Sequence, residues 1–416
     1  MLPPNRLRPH CRYAPAVTKL LAALWRRHHE TVVCSSRVPD VSLVQIQKNG
    51  SAMPITFSPI EACAGNQPFA ECHEVDLSRP LDATDIQTIR AALLKHGMLL
   101  FRDQHAMTPA DEVAFNRAFG WHDDAQCDFL FGFGAPVTEH RVSGAAQMPA
   151  LPEVSVLGNV LLDDYHGITN TQLVPVLGFS HSGWHADGLH DMFDGLPEMT
   201  TMFNPPGWES KGGGETYFTS GVCALERLES GLLDELSRCV VAYMRYPNDD
   251  AQDETRRIIP GASVMEREGT FRNGFAIDRH DHDCGLHDFE LLPEHAEQAG
   301  RHPCIYRHPE TGQRSLYITP GQAVCLLDME TGAIRHGVDE TAELLSAALL
   351  PSALPEVRYE HRWQEGDFVA WINTLALHSA SDPSEIDGPR LMHRVRLSTP
   401  KRRWAEGRYL DFPTGI

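Results

Sequence analysis

The feature that most constrains this chain is a long succession of short apolar or alternating runs, each cut off by turn residues. They fall at 183–187, 199–203, 215–219, 240–245, 303–307, 315–318, 367–373 and 391–398. Runs of this length are too short for stable helices and suit strands. Many short strands bury their apolar faces only by assembling into packed layers or a closed barrel. Helical patterns come mainly before them. "DATDIQTIRAALLKHG" (82–97) has Asp82 or Thr84 as cap, Ile86, Ile89 and Leu93 on one face, and Gly97 to close it. "MLLFR" (98–102) then reads as a buried strand. "TPADEVAFNRAFG" (108–120) reads as a second helix, with Thr108 as cap, Pro109 in the first turn and Asp111 at capping-box spacing. "ECHEVDLSRPL" (71–81) opens as a strand and turns at Pro80, and a further helix is predicted at 223–239. The expected class is α+β, with a central β-sandwich or barrel.

The 416 residues are 42% hydrophobic and 22% charged, enough to bury a large core. The net charge of −20 argues against nucleic acid or an anionic membrane as partner. An anionic ligand would need local arginines acting against that overall field. The ten cysteines form no C-x-x-C pair, which suits a reducing compartment and disfavours a zinc ribbon. The longest apolar runs are too short to span a bilayer. Residues 1–52 stand apart as an N-terminal extension to a domain spanning 53–416. Arg6, Arg8, Arg12, Lys19, Arg26 and Arg27 precede the first acid, Glu30, and Val17, Leu20, Leu21, Leu24 and Trp25 fall at helical spacing. That pattern fits either an organelle transit peptide or a disordered tail, so the expected location is mitochondrial or cytoplasmic. Residues 246–300 are polar and histidine-rich and read as a long surface excursion.

Candidate chemistry starts in "GFSHSGWHADGLHDMF" (178–193). On a strand, His185 and Asp187 would point to the same face, and an imidazole with a carboxylate suits Fe(II) once another histidine completes the set. Among 22 histidines, an H-x-D pair also arises by chance. His378 follows the apolar strand 368–372 where it gives way to a loop, and by itself it reads as a surface loop histidine rather than a ligand. In "GPRLMHRVRLS" (388–398), Arg390, Met392, Arg394 and Arg396 alternate with Leu391, His393, Val395 and Leu397. The second set is the packed face, with His393 a satisfied core histidine. The first set is either an anion site, since guanidinium matches a carboxylate at two points, or an exposed basic edge.

Taken together, these stretches resemble the taurine dioxygenase (TauD/TfdA) family of Fe(II)- and 2-oxoglutarate-dependent dioxygenases. The resemblance is an ordered series: residues 75–120, "WHAD" (184–187), "GGGETYFTS" (212–220), "HPETGQRSLYI" (308–318), "GDFVAWINTLALHSASD" (366–382) and "GPRLMHRVRL" (388–397). It implies a double-stranded β-helix (jelly-roll) core with flanking helices and long loop insertions. It implies that His185, Asp187 and His378 are iron ligands, and that Arg390 and Thr216 hold the distal carboxylate of 2-oxoglutarate. Arg394 stands where family members hold the anionic group of their substrate. The implied reaction uses O₂ and decarboxylates 2-oxoglutarate to succinate and CO₂ while hydroxylating a C–H bond of a small, anionic, sulfonate- or carboxylate-like molecule. Related halogenases carry a small residue in place of Asp187, so its presence favours hydroxylation. Desaturation or epoxidation within a biosynthetic route, and a non-catalytic binding role, are the alternatives. A homo-oligomer is compatible with the pattern. The chain departs from the compact members between Gly120 and Trp184. His122 is a loose counterpart of a histidine that taurine enzymes place after the first helices, and "SHSG" (180–183) replaces an asparagine-rich approach. His280 and His282, in the 246–300 excursion, read as part of an acidic loop or as a second metal site.

Overall fold

The computed structural model describes residues 54–60, 67–119, 130–131, 141–143, 145–174, 184–187, 196–208, 211–243, 300–308, 310–320, 323–355, 357–381 and 383–399. All belong to one compact unit, Val41–Ile416. The basic N-terminal stretch, His122, the "SHSG" approach, and His280 and His282 with nearly all of the 246–300 excursion lie outside the described residues.

The early helices form as their caps predict. In α1 (Ala83–His96), the Asp82 carboxylate accepts from the Asp85 backbone N–H at 2.8 Å. Gly97 takes a left-handed φ of 74° and donates its N–H to the Leu93 carbonyl. In α2 (Pro109–Phe119), the Asp111 N–H donates to the Thr108 hydroxyl at 3.3 Å. The Thr108 N–H donates back to the Asp111 carboxylate at 2.9 Å, a capping box with aspartate in glutamate's usual place.

Two sheets carry the site. In chain order the strands of interest are β1 (Thr56–Pro59), β2 (Ala70–His73), β3 (Met98–Phe101), β4 (Ala145–Gln147), β5 (Ser155–Gly158), β6 (Leu196–Phe203), β7 (Thr216–Ser220), β8 (Tyr359–His361), β9 (Phe368–Ile372), β10 (Ala376–Ala380) and β11 (Leu391–Thr399). The large sheet runs β1-β2-β3-β9-β6-β11-β5-β4, with Leu130–Phe131 also pairing onto β11; the small sheet runs β8-β7-β10. Strand alternation separates the two faces of the large sheet. Leu99, Phe101, Phe203, Phe368, Ala370 and Leu397 pack against Ile89, Leu93, Phe115 and Phe119 of the helices. Met98, Leu100, Val369, Trp371 and Met392 face the other way, onto Phe218, Tyr359 and Ala376 of the small sheet. The helices therefore cover one face and the small sheet covers the other, and this arrangement bears out the mixed α and β expectation.

Three local expectations are corrected. Residues 184–187 do not form a strand: His185 makes a single antiparallel bridge to His378. Their backbone N–H groups go to side chains instead, Ala186 to the Thr319 hydroxyl (3.1 Å) and Asp187 to the Asn373 carbonyl oxygen (3.2 Å). His378 does not sit in a loop. After Ile372 the chain makes a tight turn, in which Leu375 N–H donates to the Ile372 carbonyl, and then enters β10 in the other sheet with His378 at its centre. The helix predicted at 223–239 is two short ones, α3 (Gly221–Glu226) and α4 (Ser230–Leu236). Glu229 between them is extended, and Ser230-Gly231 is a poor helix interior. A helix α5 (Val338–Ala353) was not anticipated. Its buried residues join Trp184, Tyr317 and Leu377 in a second core, beside a four-stranded sheet that includes Cys239–Tyr243 and Ala323–Asp328. No helix among the described residues is long and apolar enough to cross a membrane.

Candidate metal centre

His185 and His378 come together through their own backbones. The His185 N–H donates to the His378 carbonyl at 2.9 Å, and the His378 N–H donates back at 3.0 Å. This pairing sets the two imidazoles side by side, with ring centroids 4.2 Å apart. Each Nε2 lies 3.9 Å from Asp187 Oδ1, and one ligand atom from each of the three residues falls within 4.8 Å of the others.

Asp187 is aimed by a closed hydrogen-bonded loop. Its Oδ2 accepts from the Thr200 hydroxyl at 2.8 Å, and Thr200 in turn accepts from Asn373 Nδ2 at 2.9 Å. Asn373 Oδ1 accepts from the Asp187 backbone N–H and from Trp371 Nε1 at 3.1 Å. An ionised carboxylate only accepts, so the Thr200 hydroxyl donates to Oδ2 while accepting from Asn373, which leaves Oδ1 facing the imidazoles. Partners of this kind fix the orientation of metal-ligating carboxylates.

Burial by itself would raise the Asp187 pKa, but His378, Arg394, Arg396 and His185 outweigh it and hold the carboxyl well below the usual range. Arg394 and Arg396 each place Nη1 3.9 Å from Asp187 Oδ1. Burial, and then the neighbouring His185, pull His378 down to about 3. Arg394 and Arg396 carry their charge throughout this range and add to the pull on Asp187. Two imidazoles and a carboxylate converging from one side are a donor set that fits Fe(II) with open positions opposite.

The other predicted residues lie around this centre. Arg390 immediately precedes β11. Its backbone N–H donates to Asn159 Oδ1 at 2.8 Å, and the Asn159 N–H donates to the Arg390 carbonyl. Its guanidinium rests on Gly214, where a Cβ would come within 2.0 Å of Nη1. Gly214 has a φ of 76° and stands two residues before Thr216. Arg390 is buried, which lowers its pKa to about 10 against the opposing pull of Glu215. Among the described residues no carboxylate lies within ion-pair distance of it. The Thr216 hydroxyl, also buried, accepts from Trp363 Nε1 at 3.0 Å.

The alternation expected in β11 is present. Met392 packs toward the small sheet, and Arg394 and Arg396 reach Asp187 on the same side. His393 faces the helices and is fully satisfied, with Nδ1 2.5 Å from Glu112 Oε1 and Nε2 2.6 Å from the Tyr165 hydroxyl. Arg396 belongs to the alternating set, and its place on the face of Arg394 was the available signal. Thr200 and Asn373 were missed: their roles depend on β6 lying between β9 and β11, and nothing local marks them.

This architecture and donor set define a protein of mixed α and β type with a candidate metal centre of two histidines and one aspartate. The model of the taurine catabolism dioxygenase TauD, TfdA family matches residues 57–396, and the chain belongs to that family. It is 26% identical over 364 residues to the alpha-ketoglutarate-dependent xanthine dioxygenase xanA of Emericella nidulans, covering 78% of this chain and 91% of that relative. Pentalenolactone F synthase of Streptomyces arenae is 26% identical over 330 residues, covering 78% and 90%. A taurine dioxygenase structure from Burkholderia xenovorans superposes with a TM-score of 0.52 at 22% identity, covering 83% and 89%, and shows the shared fold. The protein is accordingly an alpha-ketoglutarate-dependent dioxygenase, an oxidoreductase whose class uses iron(II), 2-oxoglutarate and O₂.

Proposed function

We propose that the protein hydroxylates a C–H bond of a small carboxylate- or sulfonate-like molecule at a site built inside a jelly-roll core. The observation that carries this reading is the local charge. Arg394 and Arg396 converge on the single carboxylate of Asp187, with buried Arg390 at the foot of the same strand, in a chain of net charge −20. His185, Asp187 and His378 hold the iron in this reading. When bound, iron and cosubstrate supply the oxidation: 2-oxoglutarate and O₂ give succinate and CO₂ while the substrate gains a hydroxyl. The chain's own part is geometric and electrostatic. Thr200 and Asn373 aim Asp187, the neutral imidazoles offer their lone pairs, and Arg390 with Thr216 takes the distal carboxylate of 2-oxoglutarate. Arg394, part-exposed on the inner face of β11, orients the substrate anion. A relative 24% identical to this chain is a dioxygenase of (S)-phenoxypropionate, itself a carboxylate.

The test is substrate-dependent turnover of 2-oxoglutarate across sulfonates, carboxylates, amino acids, betaines and matched uncharged amides. Acids should stimulate turnover and amides should not. Arg394→Ala should raise KM for the acid about 10- to 100-fold, the loss of a charge-assisted hydrogen bond, and leave KM for 2-oxoglutarate unchanged. Equal stimulation by acid and amide would overturn the anionic assignment.

A further inference from the structure

We infer that Trp363 is a positioning residue for the cosubstrate and acts through Thr216; this rests on Arg390 and Thr216 being the anchor for the distal carboxylate. An indole N–H only donates, whereas a hydroxyl carries one hydrogen and two acceptor lone pairs. Trp363 Nε1 donates to Thr216 Oγ1 at 3.0 Å, and both residues are buried. Among the described residues none accepts the Thr216 hydroxyl hydrogen. Trp363 thereby biases the sense of that hydroxyl: the indole takes up a lone pair and turns the hydroxyl hydrogen away from itself, free to donate elsewhere. A donor hydroxyl two residues from the glycine on which the Arg390 guanidinium rests, with no described carboxylate within ion-pair distance of that guanidinium, suits a group that only accepts, such as a carboxylate.

The indole is itself held in place. Its ring meets His361 edge to face, with centroids 4.4 Å apart at 84°. His361 is fully buried, with Nδ1 2.7 Å from the Tyr359 hydroxyl and Nε2 3.3 Å from Asp367 Oδ2. Asp367, also fully buried, pairs with Arg102 at 2.7 Å. This chain of contacts keeps Trp363 from turning its N–H away from Thr216. Nothing in the H-x-D or arginine motifs points to Trp363.

The experiment compares Trp363→Phe, which keeps an aromatic ring and removes the N–H, with Thr216→Val and the double variant. Dissociation constants are measured anaerobically on iron(II)-loaded protein for 2-oxoglutarate and for 2-oxopentanoate, which lacks the distal carboxylate. Trp363→Phe should weaken 2-oxoglutarate about fivefold, the effect of one neutral hydrogen bond, and leave 2-oxopentanoate unchanged. In the Thr216→Val background it should have no further effect. Equal weakening of both oxo acids, or a full fivefold effect in the Thr216→Val background, would reduce Trp363 to a packing residue and overturn the inference. If Thr216→Val leaves 2-oxoglutarate binding intact, the anchor assignment itself is what fails. Should Trp363→Phe not fold, the indole N–H resonance of Trp363 in zinc-loaded wild type gives the answer. It should shift on adding 2-oxoglutarate and stay still with 2-oxopentanoate; any other pattern counts against the proposal.

Discussion

Gly214→Ala tests the cosubstrate anchor without touching a polar group. A Cβ at this position would stand 2.0 Å from Arg390 Nη1 and 2.7 Å from its Cζ. Non-bonded heavy atoms settle near ~3.5 Å, so the guanidinium must retreat by about 1.5 Å. The useful range of hydrogen-bond lengths is only about 0.5 Å wide, so that retreat breaks the two-point grip on a carboxylate. Hydrogen bonds to a charged group contribute about 1.5–3 kcal/mol, and each 1.4 kcal/mol is tenfold, so 2-oxoglutarate should bind ~10- to 150-fold more weakly. The cost to the fold is smaller. The clashing atoms are the end of a flexible side chain, and the left-handed φ of 76° costs a residue with a Cβ about 1–2 kcal/mol. The assay is anaerobic titration of the iron(II) protein with 2-oxoglutarate, alongside a thermal melt. Gly212→Ala is the control, because a Cβ there meets nothing within 4 Å. Unchanged 2-oxoglutarate affinity in a folded Gly214→Ala protein would refute the placement of Arg390. An equal loss in Gly212→Ala would show that the glycine run matters for another reason.

Asp187→Ala and His378→Ala should each abolish iron retention, read as metal per chain after anaerobic loading, with far-UV circular dichroism preserved; iron bound at full occupancy by either variant would place the metal elsewhere. Away from the site, hydrogen bonds from Arg335 first and then His336 lower the Glu235 pKa to about 2 from 4.5. A depressed carboxyl contributes stability that is present above its unfolded pKa and lost as pH falls toward its folded one. The thermal midpoint should therefore drop between about pH 4.5 and pH 2 partly through Glu235, and Glu235→Gln should flatten that part of the curve. An identical acid profile in the variant would show that this ion pair adds nothing.

Local order in this protein was written in adjacent residues. Asp82 and Gly97 bound α1, Thr108 and Asp111 open α2, and the alternation from Met392 to Leu397 sorts arginines from packing residues, because caps and strand periodicity act over a few positions. Family membership was legible as well, since its motifs are ordered along the chain. What the sequence could not decide was how residues far apart would meet. The bridge between His185 and His378, the Thr200–Asn373 loop that aims Asp187, and the seat of Arg390 on Gly214 each join segments that are distant in sequence. They depend on which strands become neighbours and in which register, and that is settled by the packing of whole sheets. Residues 184–187 show the same limit from the other side. Their pattern suggested a strand, but tertiary partners took their backbone N–H groups and left a single bridge.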